Sequence, residues 1–138
     1  MFQPATDDDL TAIREHVQRF KLDGEHLEAD QFIVARQGGR LVAFGRVKPY
    51  GEGVFELGTV GVLEDERGRG WGERVVRELI RRFPSREVYI TTDLPAYFER
   101  FGFQKMESGV PAPLADKLQR ICGTLRDGVV PMLLLKNA

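Results

Sequence analysis

The stretch VGVLEDERGRGWGERVVRELI, residues 60–80, decides how this chain is read. It begins as an apolar strand, crosses three consecutive acids, and reaches Arg67-Gly68-Arg69-Gly70-Trp71-Gly72 before a helix with one apolar stripe. Glycine loses more conformational freedom on folding than any other residue, so three alternate glycines at a strand-to-helix corner need a purpose. A helix N-terminus carries backbone N–H groups without partners inside the helix, and its dipole adds positive potential. With no Cβ at Gly68, Gly70 and Gly72, an anion can approach that backbone closely. Arg67 and Arg69 add charge in a geometry that suits phosphate oxygens. The corner therefore reads as a phosphate or diphosphate site, against the plainer alternative of a glycine-rich surface turn.

Two familiar phosphate motifs do not fit. A P-loop needs Gly-Lys followed by Ser or Thr, and the chain has no such triplet. A dinucleotide fingerprint needs Gly-x-Gly-x-x-Gly in an opening βαβ unit. Here the glycines alternate, and the elements before them read as antiparallel. QFIVARQGGRLVAFGRVKPY, residues 31–50, gives two strands joined at Gln37-Gly38-Gly39-Arg40, a strong hairpin signal. Pro49 and Gly51 are expected to break the second strand, and VFELGTVGVL, residues 54–63, forms the third. Further upstream Thr6 is placed to cap a helix with Asp7, Asp8 and Asp9 in its first turn. Leu10, Ile13, Val17 and Phe20 fall on one face of that helix.

Beyond the glycines, Val75, Val76, Leu79, Ile80 and Phe83 mark the apolar stripe, and Pro84 stops the helix. Glu73 with Arg77 and Glu78 with Arg82 are i,i+4 pairs suited to a solvated face. EVYITT, residues 87–92, reads as an interior strand. LPAYFERFGF, residues 94–103, reads as a short helix opened by Pro95 and closed by Gly102. PLADKLQRICGTL, residues 113–125, is another helix, and VVPMLLLK, residues 129–136, a last strand whose pairing Pro131 should limit. No repeat or linker interrupts this order. The expectation is a single α/β domain over residues 1–138, of the α+β kind with a mixed sheet.

Bulk properties narrow the partners. A chain of 138 residues with 42% apolar and 30% charged residues is long enough for one real core. A net charge of −1 offers no global attraction to nucleic acid or an anionic membrane. No apolar run approaches the roughly 20 residues that span a bilayer. The single cysteine, Cys122, excludes an internal disulfide framework and suits a reducing compartment. The acidic opening MFQPATDDDL lacks the apolar core of a signal peptide. A soluble cytoplasmic domain is expected. The apolar last strand with Pro131 suits a subunit interface, which makes a homodimer plausible.

Residues 67–72 also satisfy the pattern Arg/Gln-x-x-Gly-x-Gly/Ala, and TTDLPAYFERFGF, residues 91–103, resembles Tyr/Phe-x-x-x-Gly-Phe. On these two blocks the chain from Phe32 to Leu135 resembles the GNAT superfamily of N-acyltransferases. Within it, Glu56-Leu57, the Thr91-Thr92 strand end and a Pro-led helix before the last strand are most similar to amino-acid N-acetyltransferases of the glutamate-acetylating type. The resemblance implies a mostly antiparallel central sheet flanked by helices on both faces, and acetyl-CoA as co-substrate. It implies that the loop Arg67, Gly68, Arg69, Gly70, Trp71, Gly72 wraps the pyrophosphate through backbone N–H groups. The pantetheine arm would then pair beside Val60 and Val62, where one N–H polarises the thioester carbonyl. Two positions depart from the family pattern. Trp71 stands where a small aliphatic residue is usual, and Glu64, with Asp65 and Glu66, stands where proline is common. These acids are expected to point away from the ligand.

Acetyl transfer to an amine needs the amine neutral, so a base is useful. Glu56 is the candidate. Strand alternation puts it on the face of Gly58, Val60 and Val62 unless a bulge reverses that parity. The alternative for Glu56 is a structural pair with a nearby Arg or Lys. The tyrosine that many superfamily members use as general acid is replaced here by Phe98, and its neighbour Tyr97 should face elsewhere on a helix. Thr91 could instead hydrogen-bond the leaving sulfur, or the thiolate could take its proton from the departing ammonium. His16 and His26 lack metal-like spacing and are expected at the surface, so no metal is implied. Cys122 reads as core. Arg36, Arg46, Lys48 or Arg126 could meet an acidic substrate. The reading is acetyl transfer from acetyl-CoA to the amine of a small molecule, an amino acid among the candidates. A protein N-terminal or lysine acetyltransferase and a non-catalytic acyl-CoA-binding module are the alternatives.

Overall fold

The computed structural model describes residues 2–121 and 128–136. Two glycines with positive φ, Gly38 at 60° and Gly39 at 80°, close the hairpin read from the sequence. Strand β2 (Phe32–Gln37) runs antiparallel to β3 (Arg40–Gly51), from Phe32↔Arg46 to Gln37↔Arg40. Pro49 does not break β3, which continues to Gly51 before a second tight turn at Glu52 and Gly53. A proline lacks only its N–H and is tolerated where the ladder does not ask for one. Strand β4 (Val54–Val62) follows. With β1 (Phe2–Pro4), β5 (Glu87–Thr92), β6 (Gln104–Lys105) and β7 (Val130–Leu135), these make a seven-stranded sheet ordered β1-β2-β3-β4-β5-β7-β6. Its β4–β5 neighbours are parallel at Glu56↔Tyr89, while β1–β2, β2–β3, β5–β7 and β6–β7 are antiparallel.

The chain divides into two compact units. One runs to Val47 and includes Leu57–Arg82; the other holds Lys48–Glu56 and the chain from Phe83 onward. In the first, helix α1 (Asp7–Phe20) starts at a capping box, with Asp9 N–H donating to Thr6 Oγ1 at 3.1 Å and Thr6 N–H to Asp9 Oδ2 at 2.8 Å. Its Ile13 and Val17 pack with Phe32, Val34 and Phe44. Helix α2 (Trp71–Arg82) lies on the opposite side of β3. A Cβ built on Gly45 would stand 2.7 Å from Val75 and 2.8 Å from Leu79, whereas its neighbour Phe44 faces α1.

The second unit holds helices α3 (Pro95–Glu99) and α4 (Ala112–Ile121) with β5, β6 and β7. Val88, Ile90, Phe103, Leu114 and Met132 are its most deeply buried apolar side chains. Pro131 does not curtail β7, which pairs six residues with β5. At Pro131 the ladder uses the carbonyl, which accepts from Met106 N–H at 3.0 Å. Cys122, Arg126 and Asp127 lie outside the described residues. Among the described residues, no helix is long and apolar enough to cross a membrane.

Candidate active site

At the corner between β4 and α2, Gly68 and Gly70 have φ of 81° and 83°, a region that side chains rarely adopt. A Cβ built on either would meet nothing within 4 Å, so the turn is open on that side. The first-turn N–H groups of α2 have no earlier helical carbonyl to bond. The loop's carbonyls are held instead. Arg74 donates to Arg69 O at 3.2 Å and lies over the Trp71 ring at 3.9 Å. Trp71 is only 6% exposed and aims its indole N–H at Glu66, 3.4 Å away. The bulk that departs from the family pattern therefore packs inward, and Trp71 presents its backbone to the corner.

The three acids each find a cation. Glu64 pairs with Arg19 at 2.9 Å, Asp65 accepts from Arg40 at 2.9 Å, and Glu66 approaches Arg69 at 3.5 Å. The hydrogen bond from Arg40 holds the Asp65 carboxyl below the usual carboxylate range. Arg67 donates from Nε to Val62 O at 3.2 Å and stacks over Phe20 at 4.6 Å, which ties the loop to α1.

Along β4 the strict alternation is interrupted. Thr59 takes φ of 50° in mid-strand, a position that costs a β-branched residue about 1–3 kcal/mol. Its hydroxyl accepts from Arg46 Nε at 2.9 Å and donates to Asp23 O at 3.1 Å, and these bonds hold the kink. Glu56 and Leu57 are buried in succession, Thr59 and Gly61 are buried after them, and Val60 and Val62 are half-buried. Burial alternates without a break through Thr59, and the parity that plain alternation assigned from Glu56 to Val62 fails earlier, where Glu56 and Leu57 are buried in succession.

In the second unit, Glu56 and Thr91 are brought together, with two residues that the sequence reading did not single out. Thr91 Oγ1 donates to Glu56 Oε2 at 2.6 Å and Tyr50 Oη to Glu56 Oε1 at 2.6 Å. Lys117 Nζ donates to Oε1 at 2.9 Å, to Oε2 at 2.7 Å and to Thr91 Oγ1 at 3.0 Å. The Glu56 and Lys117 side chains are each 3% exposed. A buried carboxylate and ammonium need one another, because either alone would carry an uncompensated charge. Lys117 was hidden in the sequence as a polar position of an amphipathic helix. Its signal would have been its place three residues after Leu114 and four before Ile121, on the apolar side.

Apart from Lys48, which lies beside the Glu56 network, the other sequence-based candidates are occupied elsewhere. Arg46, with no exposed surface, donates to Glu25 O, Asp23 O and Gln31 Oε1 and pins residues 23–31 to β3. Arg36 is paired with Asp9, and Lys48 sits over the Tyr50 ring at 4.9 Å. Tyr97 packs among Phe98, Phe101 and Arg100. His16, expected at the surface, is half-buried. It stacks on Phe20 and Phe44, and burial holds its imidazole below the ordinary value, with Arg19 adding to the effect.

Residues 2–103 match the family model described as the acetyltransferase (GNAT) family. The chain belongs to the GNAT family. Glucosamine 6-phosphate N-acetyltransferase 1 of Oryza sativa subsp. japonica is 34% identical over 91 residues, covering 56% of this chain and 55% of the relative. The chain thus spans about half the length of the curated relative it matches. Rv2747 of Mycobacterium tuberculosis, solved in complex with CoA and a second ligand, is 23% identical. It covers 99% of each chain with a TM-score of 0.79. N-acetylglutamate synthase of Neisseria gonorrhoeae, solved with CoA and N-acetyl-glutamate, is 14% identical. It covers 100% of this chain and 35% of its own, with a TM-score of 0.78. These two structures share the GNAT fold with the chain.

Proposed function

We propose that this GNAT chain, as one domain over residues 1–138, transfers the acetyl group of acetyl-CoA to the amine of a small molecule. The observation that carries the reading is the open β4–α2 corner, where positive-φ glycines leave helix N–H groups accessible and every neighbouring acid is paired with an arginine. The pyrophosphate of acetyl-CoA would lie on Gly68, Arg69, Gly70, Trp71 and Gly72, with Arg67 beside it and the pantetheine arm along Val60 and Val62. Relatives solved with CoA support that ligand, and the names of the matched enzymes put an amino acid and an amino-sugar phosphate first among acceptors. Glu56 is the proton sink for the acceptor, and Thr91 shares its network. A reducing, cytoplasmic setting suits the one cysteine, and an apolar β7, with Leu135 55% exposed, would offer a homodimer face.

The test is calorimetric titration with acetyl-CoA beside thiol release on a panel of L-glutamate, other amino acids, glucosamine 6-phosphate and polyamines. Gly70→Glu, which puts bulk and negative charge into the corner, should abolish binding. Equal affinity in that variant would refute the site. Binding by the unaltered chain without thiol release from any amine would favour a non-catalytic acyl-CoA-binding module. The Glu56 carboxylate, already bonded to Tyr50, Thr91 and Lys117, is the feature that keeps that reading in view.

A further inference from the structure

Given the acetyl-transfer reading above, we propose that Tyr50 relays the acceptor's proton to Glu56. A carboxylate offers about four lone-pair positions, and those of Glu56 are filled by Tyr50, Thr91 and two contacts from Lys117. Glu56 is 2% exposed and Lys117 is 3% exposed, so neither meets a substrate amine directly. Tyr50 and Thr91, by contrast, are half-buried and keep surface of their own. A proton from outside therefore reaches the carboxylate through one of these two hydroxyls.

Chemistry selects the phenol. Its ordinary pKa of about 10 lies near that of an alkyl ammonium. An aliphatic hydroxyl such as Thr91 ionises far less readily. The Lys48 ammonium over the Tyr50 ring, at 4.9 Å, favours negative charge developing on that ring. Tyr89 is the register partner of Glu56 across β4–β5, and Lys117 approaches from α4.

The step balances as follows. An acceptor N–H⁺ passes its proton to Tyr50 Oη as Tyr50 passes its own to Glu56 Oε1. The neutral amine attacks the thioester carbon. The C–N bond forms, the C–S bond breaks, and the thiolate leaves with the second amine proton. A neutral Glu56 leaves the Lys117 ammonium without its counter-charge, so the proton is held only for the attack and returns to solvent through Tyr50.

Tyr50→Phe in the full chain removes the hydroxyl and leaves the ring under Lys48. It is assayed with the fastest amine of the panel above, alongside acetyl-CoA affinity and thermal midpoint. Near pH 7 the expected loss in kcat is about 100-fold or more, with acetyl-CoA affinity held within about twofold. The deficit should shrink about tenfold per pH unit as the amine deprotonates by itself, and close near the amine's own pKa. Thr91→Val should lose rate equally at every pH. A uniform loss in Tyr50→Phe, full activity in it, or the pH-dependent deficit appearing in Thr91→Val instead would each overturn the relay. An unaltered chain that binds acetyl-CoA but acetylates no amine would overturn the acetyl-transfer reading, and the relay with it.

Discussion

Replacing Lys117 with Met should cost this protein a large part of its stability. The substitution keeps a four-atom apolar stem, with sulfur in place of Cδ, and removes the ammonium. That leaves the Glu56 carboxylate, 3% exposed at its side chain, with Tyr50 and Thr91 as donors but without the ammonium that pairs with it. Breaking a buried pair by deleting one partner costs about 3–5 kcal/mol. At roughly 2.1 cal/mol/K of unfolding entropy per residue, a chain of this size would lose about 10–17 °C in thermal midpoint. The double variant Glu56→Met with Lys117→Met should recover most of the loss, because apolar residues of similar volume often replace a buried pair at little cost. Equilibrium urea unfolding of both singles and the double gives the coupling, with the m-value checking that the transition stays two-state. The reasoning is refuted if Lys117→Met loses less than about 1 kcal/mol, or if the double variant is as unstable as the sum of the singles.

Two further outcomes test the packing of the first unit. Gly61→Ala would place a Cβ 2.3 Å from the Phe44 ring, so overpacking should destabilise by about 1–3 kcal/mol in urea unfolding, and an unchanged midpoint would show that the ring gives way freely. Burial depresses the His16 pKa from its ordinary 6.5, so the unfolded chain binds more protons there. The stability linked to His16 is full above 6.5 and lost as pH falls through the lowered folded value. Thermal midpoints between about pH 7.5 and 5 should fall less steeply in His16→Phe, and parallel slopes would count against it.

Much of the fold was legible because its signals are local. Gly38-Gly39 dictates a tight hairpin within four residues, and Thr6 with Asp9 dictates a helix start within the same span. The two proline expectations failed for a shared reason. Whether Pro49 or Pro131 ends a strand depends on whether the neighbouring strand needs an N–H at that point, and only the assembled ladder says so. His16 is half-buried, and helical position alone did not show the rings of Phe20 and Phe44 that stack on it.

The sequence by itself determined the longer elements, their order along the chain, and the β4–α2 corner, since glycine conformation, helix dipole and arginine charge all act over a few residues. It did not determine the short strands β1 and β6. Tertiary structure alone decided what each buried charge does. Glu56 and Lys117 meet across 61 positions of sequence, and Arg46 and Asp23 across 23. Burial obliges such groups to find partners, but spacing along the chain cannot name them. The same holds for Thr59. Its kink survives because Arg46 and the Asp23 carbonyl hold its hydroxyl, and that support comes from strand and loop meeting in space.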